Sequence, residues 1–248
     1  MTSITPENLL EELRRAADVV TGIAAKLTDA EVAAPSELPG WTRGHVLAHV
    51  AGIGNAMARQ LEYAARGEKI ELYDGGSEGR NRAIELSAGH GAEQHRAAVE
   101  AAIGRALEAF GTLDAAGWQA PITFRDGVVF DGGLALWREL TIHATDLGTG
   151  RGPETWSRPF CENLFNFLSA RVPEGQRFVL QPLGLPSVTL GAAGGRSTVI
   201  NGMLTDIAAW LAGRTPTLGS LRATAAADGV DLPELLPWPA GVPVTNQA

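Results

Sequence analysis

Only one of the 248 residues is a cysteine, Cys161. That excludes an intramolecular disulfide and any zinc site built from several thiolates, and it fits a reducing compartment. Positive charge is also scarce: 20 Lys and Arg stand against 28 Asp and Glu, a net charge of −8. No basic patch stands out, so no nucleic-acid partner is expected, because phosphate binding draws on clustered Lys and Arg. No run of about 18 apolar residues occurs, which leaves no candidate membrane span. The first residues, "MTSITPENLLEELRR", are acidic and amphipathic and lack the charged-then-apolar pattern of a secretory signal. The expectation is a cytoplasmic protein, monomeric or a small homo-oligomer, with neither membrane nor nucleic acid among its partners. Apolar residues make up 45% and charged ones 19%, ordinary values for a chain that buries a core as one large domain or two small ones.

The first 150 residues read as helices. Thr5 followed by Pro6 is a helix start, a hydroxyl cap and then a proline whose missing N–H costs nothing, and the helix runs to about Leu27. After the breaker-rich "PSELPGW", Thr42 caps a second helix reaching about Arg66, with Gly67 as its stop. Ser77 opens a third helical stretch, interrupted near Gly89 to Gly91 and resuming to about Phe110. "ITFRDGVVF" reads as a short hairpin turning on Asp126-Gly127. A fourth helix covers about Gly133 to Leu147. Four long amphipathic helices with modest connections predict a four-helix bundle over residues 1–150. "GTGRGP", 148–153, is a natural linker. Beyond it a helix is expected from Glu154 to Ala170, then β-like runs "QRFVLQ", "PSVTLG" and "STVING", a closing helix in "MLTDIAAWLAGR", and a proline-rich irregular tail after Leu232. The fold class is therefore α plus α/β: a helical bundle, then a small α/β domain over 151–248.

Chemistry concentrates in "LALWRELTIHATDLG". At about 100° per residue, Leu136, Leu147, Leu140, Ala144 and Trp137 of the fourth helix share roughly one 100° arc, the core stripe. His143 lies only about 20° outside it and Glu139 about 40° further on the same flank, whereas Arg138 and Thr145 fall opposite. Glu139 and His143, one turn apart at the rim of the buried face, can converge on one ion. On the second helix, Val46, Val50, Ile53, Met57 and Leu61 set the apolar face. His49 sits about 70° from its centre and His45 about 110°, which favours His49 as the inward group. Two histidines and one carboxylate make the donor set of catalytic zinc, three protein ligands with a position left open. A Glu and a His one turn apart also form plain solvated pairs, and a histidine at a core edge is also an ordinary core group. Asp146 reads equally as an acceptor that orients His143 or as a solvated aspartate. Trp41 and Trp137 read as pocket walls or as core. His90 and His95, beside the glycine-rich break, read as surface residues.

"GWTRGHVLAHVAG", "EGRNRAIE" and "LWRELTIHATDLG", in this order, resemble the mycothiol-dependent maleylpyruvate isomerase family, one of the DinB-like metal-binding four-helix bundles. "GMLTDIAAWLAGR" after short strands looks like that family's C-terminal domain. The resemblance implies zinc held by His49, Glu139 and His143, and it matches Arg80 of "EGRN" to an arginine implicated in catalysis. From the residues alone, Arg80 reads as a surface arginine at a helix start.

Zinc with an open position can hold a thiol as its nucleophilic thiolate. Cys161, past the linker, reads as a buried small apolar residue, so the sulfur is external: mycothiol, or another small thiol such as ergothioneine. The resemblance implies conjugate addition of that thiolate to the cis double bond of maleylpyruvate, rotation, and loss of the thiol to give fumarylpyruvate. Arg80 would bind the charge that builds on oxygen. Two alternatives stand beside this. A thiol S-transferase would use the same site on another electrophile and release the adduct. A non-catalytic metal-binding regulatory protein would need a closed site, and only three good ligands are present.

Overall fold

The computed structural model describes residues 4–225 and 228–239. They form two compact units that part between Gly150 and Arg151.

In the first unit, α1 (Pro6–Ala24) starts as its sequence dictates. The Thr5 hydroxyl accepts from the Asn8 N–H, and proline occupies the first turn. The helix stops at Ala24, three residues short of the expected Leu27, because Thr28 and Glu31 close a capping box that opens a separate short helix, α2 (Asp29–Ala33). Helix α3 (Arg43–Ala64) is capped by Thr42, and Gly67 beyond it takes a left-handed φ of 72°. The third helical stretch is two helices, α4 (Gly76–Ala88) and α5 (Ala92–Gly111), parted at residues 89–91; the cap of α4 is Gly75, not Ser77. A single turn, α6 (Ala115–Trp118), precedes α7 (Val129–Asp146). Helices α1, α3, α5 and α7 close a ring in which each packs on two others, and α4 lies on the flank of α3. Leu13, Val50, Met57, Val99, Phe110, Leu136 and Leu140 are fully buried within that ring.

Three expectations fail in this unit. The segment 122–130 is not a hairpin: one isolated bridge joins Pro121 to Val128, and Phe124–Asp126 form a 3-10 turn with Arg125 and Asp126 at φ values of 53° and 51°. A two-residue turn needs flanking strands with a ladder to join, and here α7 begins at Val129, four residues earlier than expected, and takes up those residues. Arg138 and Thr145 are buried, although the wheel placed them opposite the core stripe. A wheel assumes one buried face, whereas α7 packs against α1, α3 and α6. His95 is buried as well, and only His90 is exposed. Gly44 of α3 makes room there: a Cβ would come within 2.2 Å of the Ala88 carbonyl and 3.2 Å of the His95 ring.

In the second unit, Ser157 caps α8 (Arg158–Leu168), so this helix starts four residues after the expected Glu154; a 3-10 turn occupies Pro153–Thr155. The three predicted strands are β1 (Gln176–Pro182), β2 (Val188–Gly191) and β3 (Arg196–Gly202), followed by α9 (Leu204–Leu211). That helix does not close the domain, because β4 (Arg222–Ala225) and β5 (Asp228–Val230) extend the sheet to the order β2-β1-β3-β4-β5. Only β1 and β3 run parallel. Phe178, Leu180, Leu190 and Ile200 fill the buried face of the sheet. Residues 233–239 carry no regular element, and the remainder of the predicted irregular tail lies outside the described residues. No helix among the described residues is long and apolar enough to cross a membrane.

Candidate metal centre

Two helices of the ring bring three side chains together. His49 lies on the face of α3 that carries Val46, Val50 and Ile53, and it is 4% exposed. Glu139 and His143, one turn apart on α7, face it. His49 Nε2 is 2.8 Å from Glu139 Oε2, and His143 Nε2 is 3.1 Å from the same oxygen. The two imidazoles stand nearly perpendicular, with centroids 4.6 Å apart. One donor atom from each residue fits within 4.8 Å of the others, the only such group of His, Cys, Asp or Glu among the described residues. Ligands about 2.0–2.1 Å from a tetrahedral ion lie roughly 3.3 Å apart, so the donor set fits a small divalent ion with little rearrangement.

Each imidazole has a second contact on its far nitrogen. His143 Nδ1 meets Asp146 Oδ2 at 2.9 Å, and Asp146 is fully buried. His49 Nδ1 meets Arg80 at 3.2 Å. A guanidinium can only donate, so without a metal His49 Nδ1 is the acceptor there and Nε2 carries the hydrogen directed at Glu139; a metal on Nε2 would place that hydrogen on Nδ1 and release Arg80. Burial would lower the His143 pKa, but hydrogen bonds to Asp146 and Glu139 and their charges push it up to about 9. Burial also lowers His49; Glu139 opposes that, His143 and Arg80 add to it, and the net shift is downward. Burial would raise the Glu139 carboxyl, yet the two histidines hold it well below its ordinary value.

Arg80 comes from the second turn of α4 and also donates to the Asn81 side chain at 2.9 Å. Trp41, just before α3, stands edge-on to His49 with ring centroids 6.0 Å apart and is half-buried, so it walls the site; Trp137 is core. His45 does not join the cluster. Its Nδ1 closes the Thr42 cap by accepting from the Thr42 N–H at 3.2 Å, and its Nε2 lies 3.5 Å from Glu85. Two residues near the site carried no signal in the sequence reading. Tyr73, in the loop before α4, places its hydroxyl beside Arg80. Arg125 is close enough for its charge to act on Glu139 and on buried Arg138, whose pKa is lowered to about 10 by burial first and Arg125 second. The hairpin expected at 122–130 concealed Arg125, and only the "DGG" turn before "EGRN" hinted at a shaped loop around Tyr73.

Comparison with known proteins agrees with this architecture. The family described as mycothiol maleylpyruvate isomerase N-terminal domain matches residues 13–148, and that of the corresponding C-terminal domain matches residues 155–237. The chain belongs to the mycothiol maleylpyruvate isomerase family. A crystal structure of a mycothiol-dependent maleylpyruvate isomerase superposes with a TM-score of 0.82 at 24% identity, over 95% of this chain and 99% of that one. A histidine-to-alanine mutant of a mycothiol-dependent maleylpyruvate isomerase gives a TM-score of 0.81 at 23% identity, with the same coverage. Both likenesses establish the fold. No curated protein sequence matches significantly.

Proposed function

We propose that this chain is a zinc-dependent, thiol-using cis-trans isomerase that converts maleylpyruvate to fumarylpyruvate, with mycothiol as the thiol. The observation that carries the reading is the convergence of His49, Glu139 and His143 on one point, with Asp146 behind His143. These three residues would hold the ion, and a zinc ion with an open position supplies the Lewis acidity that keeps a thiol as thiolate at neutral pH.

The protein's own residues do the rest. Asp146 fixes the His143 ring by accepting from Nδ1 and leaves Nε2 turned to the site. Glu139 stays ionised and offsets positive charge at the site. Arg80 directs its guanidinium at the charge that gathers on the electrophile's oxygens. Trp41 stands edge-on to His49 and walls that side of the site. Cys161 takes no part: burial pushes its thiol up to about 12, and it packs within the second unit. The nucleophilic sulfur must come from outside.

The test is an assay of zinc-loaded protein with maleylpyruvate and a panel of thiols. Fumarylpyruvate should form with the thiol regenerated, and Cys161→Ser should turn over like the wild type. A stable thioether adduct without fumarylpyruvate would make the protein an S-transferase. Metal binding without turnover of any thiol and electrophile would make it a binding protein.

A further inference from the structure

The loop between α3 and α4, residues 65–75, is anchored at several points. Gln60, buried on α3, donates its amide to the Ile70 carbonyl, and the Thr123 hydroxyl donates to the same oxygen. Gln60 Oε1 accepts from the Thr123 N–H at 3.1 Å and from the Phe124 N–H at 3.2 Å. Further along, Asp74 pairs with Arg59 of α3 at 2.7 Å. The Asp74 carbonyl packs so closely on Gly79 that a Cβ there would lie 1.8 Å away. The Tyr73 carbonyl accepts from the Gly76 N–H at 3.0 Å, closing the turn into α4.

Tyr73 is held between these anchors. It is half-buried, its hydroxyl lies beside the Arg80 guanidinium, and it is within electrostatic reach of Glu139. Arg80 in turn touches His49. A neutral O–H and a guanidinium therefore meet at the edge of the candidate metal centre, on a loop whose backbone is fixed from both sides.

The geometry points to the Tyr73 hydroxyl as a second hydrogen-bond donor, beside Arg80, to the oxyanion that develops on the electrophile; this assignment rests on the isomerase reading above. In that reaction the thiolate sulfur bonds to one carbon of the cis double bond, and the π pair moves through the conjugated carbonyl onto its oxygen. The carbon–carbon bond is then single and rotates. The pair returns from oxygen, the double bond re-forms trans, and the carbon–sulfur pair leaves with the sulfur. No proton passes to or from Tyr73, whose O–H only shortens its hydrogen bond as the oxygen becomes charged. Burial pushes the phenol up to about 12 against the opposing charge of Arg80, so it keeps its proton at neutral pH. Because the contact strengthens as charge develops, it acts on kcat more than on KM.

Tyr63 and Tyr73 are the only tyrosines in the chain. Tyr63 packs under Arg66 and Arg59, a contact that phenylalanine keeps, so in a Tyr63→Phe background biosynthetic fluorotyrosine reports on position 73 alone. In zinc-loaded Tyr73→Phe, kcat for maleylpyruvate should fall about 100-fold, the usual cost of one oxyanion donor. The KM for maleylpyruvate and the metal content should stay within about twofold. Independently of turnover, oxalate, a planar dianion shaped like a pyruvate enolate, should shift the fluorine resonance of the labelled zinc-free protein saturably. Arg80→Lys should abolish that shift. Wild-type kcat in Tyr73→Phe, or a fluorine resonance unmoved by oxalate, would overturn the assignment. If the unmutated protein isomerises nothing with any thiol, the isomerase reading fails, and the fluorine titration alone decides whether Tyr73 meets an oxyanion.

Discussion

Glu139 shares one carboxylate oxygen between two imidazoles whose far nitrogens face opposite charges. Behind His143 stands the Asp146 carboxylate, three residues along the same helix and fully buried. Behind His49 stands the Arg80 guanidinium, delivered by a different helix after a long loop. The first flank is local: wherever α7 forms, helical spacing sets His143, Glu139 and Asp146 in reach of one another. The second flank is tertiary and exists only once α4 has docked on α3. The two rings differ in basicity: His143 is pushed up to about 9 by Asp146 and Glu139 against burial, while His49 is pushed down chiefly by burial, the Arg80 charge adding least. One ring is thus set up as a strong, fixed donor. The other is tied to Arg80, so under the proposed function the two flanks would divide metal retention from substrate handling.

Removing the shared atom should have the largest effect. Glu139→Gln abolishes the charge that both flanks lean on, and stoichiometric metal should be lost, a drop beyond the about 10–100-fold that a supporting partner is worth. Elemental analysis after dialysis reads this directly, and full retention of metal would dismiss Glu139 as a ligand. The next largest effect should come from the tertiary flank. Arg80→Lys keeps the charge and loses the planar fork. Turnover should fall on the order of 100-fold while metal content holds. Equal loss of metal and turnover would show that the two flanks are not separate.

The local flank should respond in the opposite way. Asp146→Asn removes the charge behind His143, and metal affinity should weaken by about 10–100-fold, with a smaller loss of turnover once metal is saturating. Proton competition sharpens the contrast. A ring whose pKa is raised to about 9 holds a proton at pH 7 that a metal must displace. Metal affinity should therefore rise about tenfold per pH unit from neutrality and level off near pH 9. In Asp146→Asn the levelling should move to lower pH. The metal-free protein follows the sign of the same shift: the stability that His143 gains from its partners is fully present below its unfolded pKa of about 6.5 and is lost as pH rises through about 9. Isothermal titration across pH and thermal melts of the metal-free protein measure the two effects. A flat affinity profile would remove the proton from His143.

The local flank was legible in the sequence because it needs only the period of a helix. Glu139, His143 and Asp146 fall on one flank of α7 whatever the rest of the chain does, and the apolar residues around His49 selected it over His45. What escaped is what depends on distant partners. Arg138 and Thr145 are buried because α7 has three neighbours, which no wheel of a single helix records. His95 is buried because Gly44, about fifty positions earlier, lets the end of α4 approach α3. The strands β4 and β5 are short and only weakly apolar in sequence, and β4 exists by pairing with β3 across an intervening helix. Tyr73 carried no periodic pattern at all. Its place follows from Gln60, Asp74 and Gly79 acting together on one loop.

The smallest effect should come from His45, the histidine on α3 that the site does not use. It sits one turn before His49 and stacks on Trp41 with centroids 5.9 Å apart, so proximity alone would make it a rival ligand. Its nitrogens are committed elsewhere. Nδ1 accepts from the Thr42 N–H and satisfies one of the unpaired donors at the start of α3, while Nε2 faces the exposed Glu85 carboxylate. His45→Ala removes half of the capping box and leaves the Thr42 hydroxyl still accepting from the backbone N–H of residue 45. The expected outcome is a loss of about 1 kcal/mol or less in stability, the scale of one helix cap. Metal stoichiometry should be unchanged, and turnover should be altered only as far as Trp41 shifts over His49. Thermal melts paired with elemental analysis of His45→Ala and His49→Ala make the comparison. Metal lost from the first variant and kept by the second would exchange the roles of the two histidines, and with them the face of α3 that looks into the site.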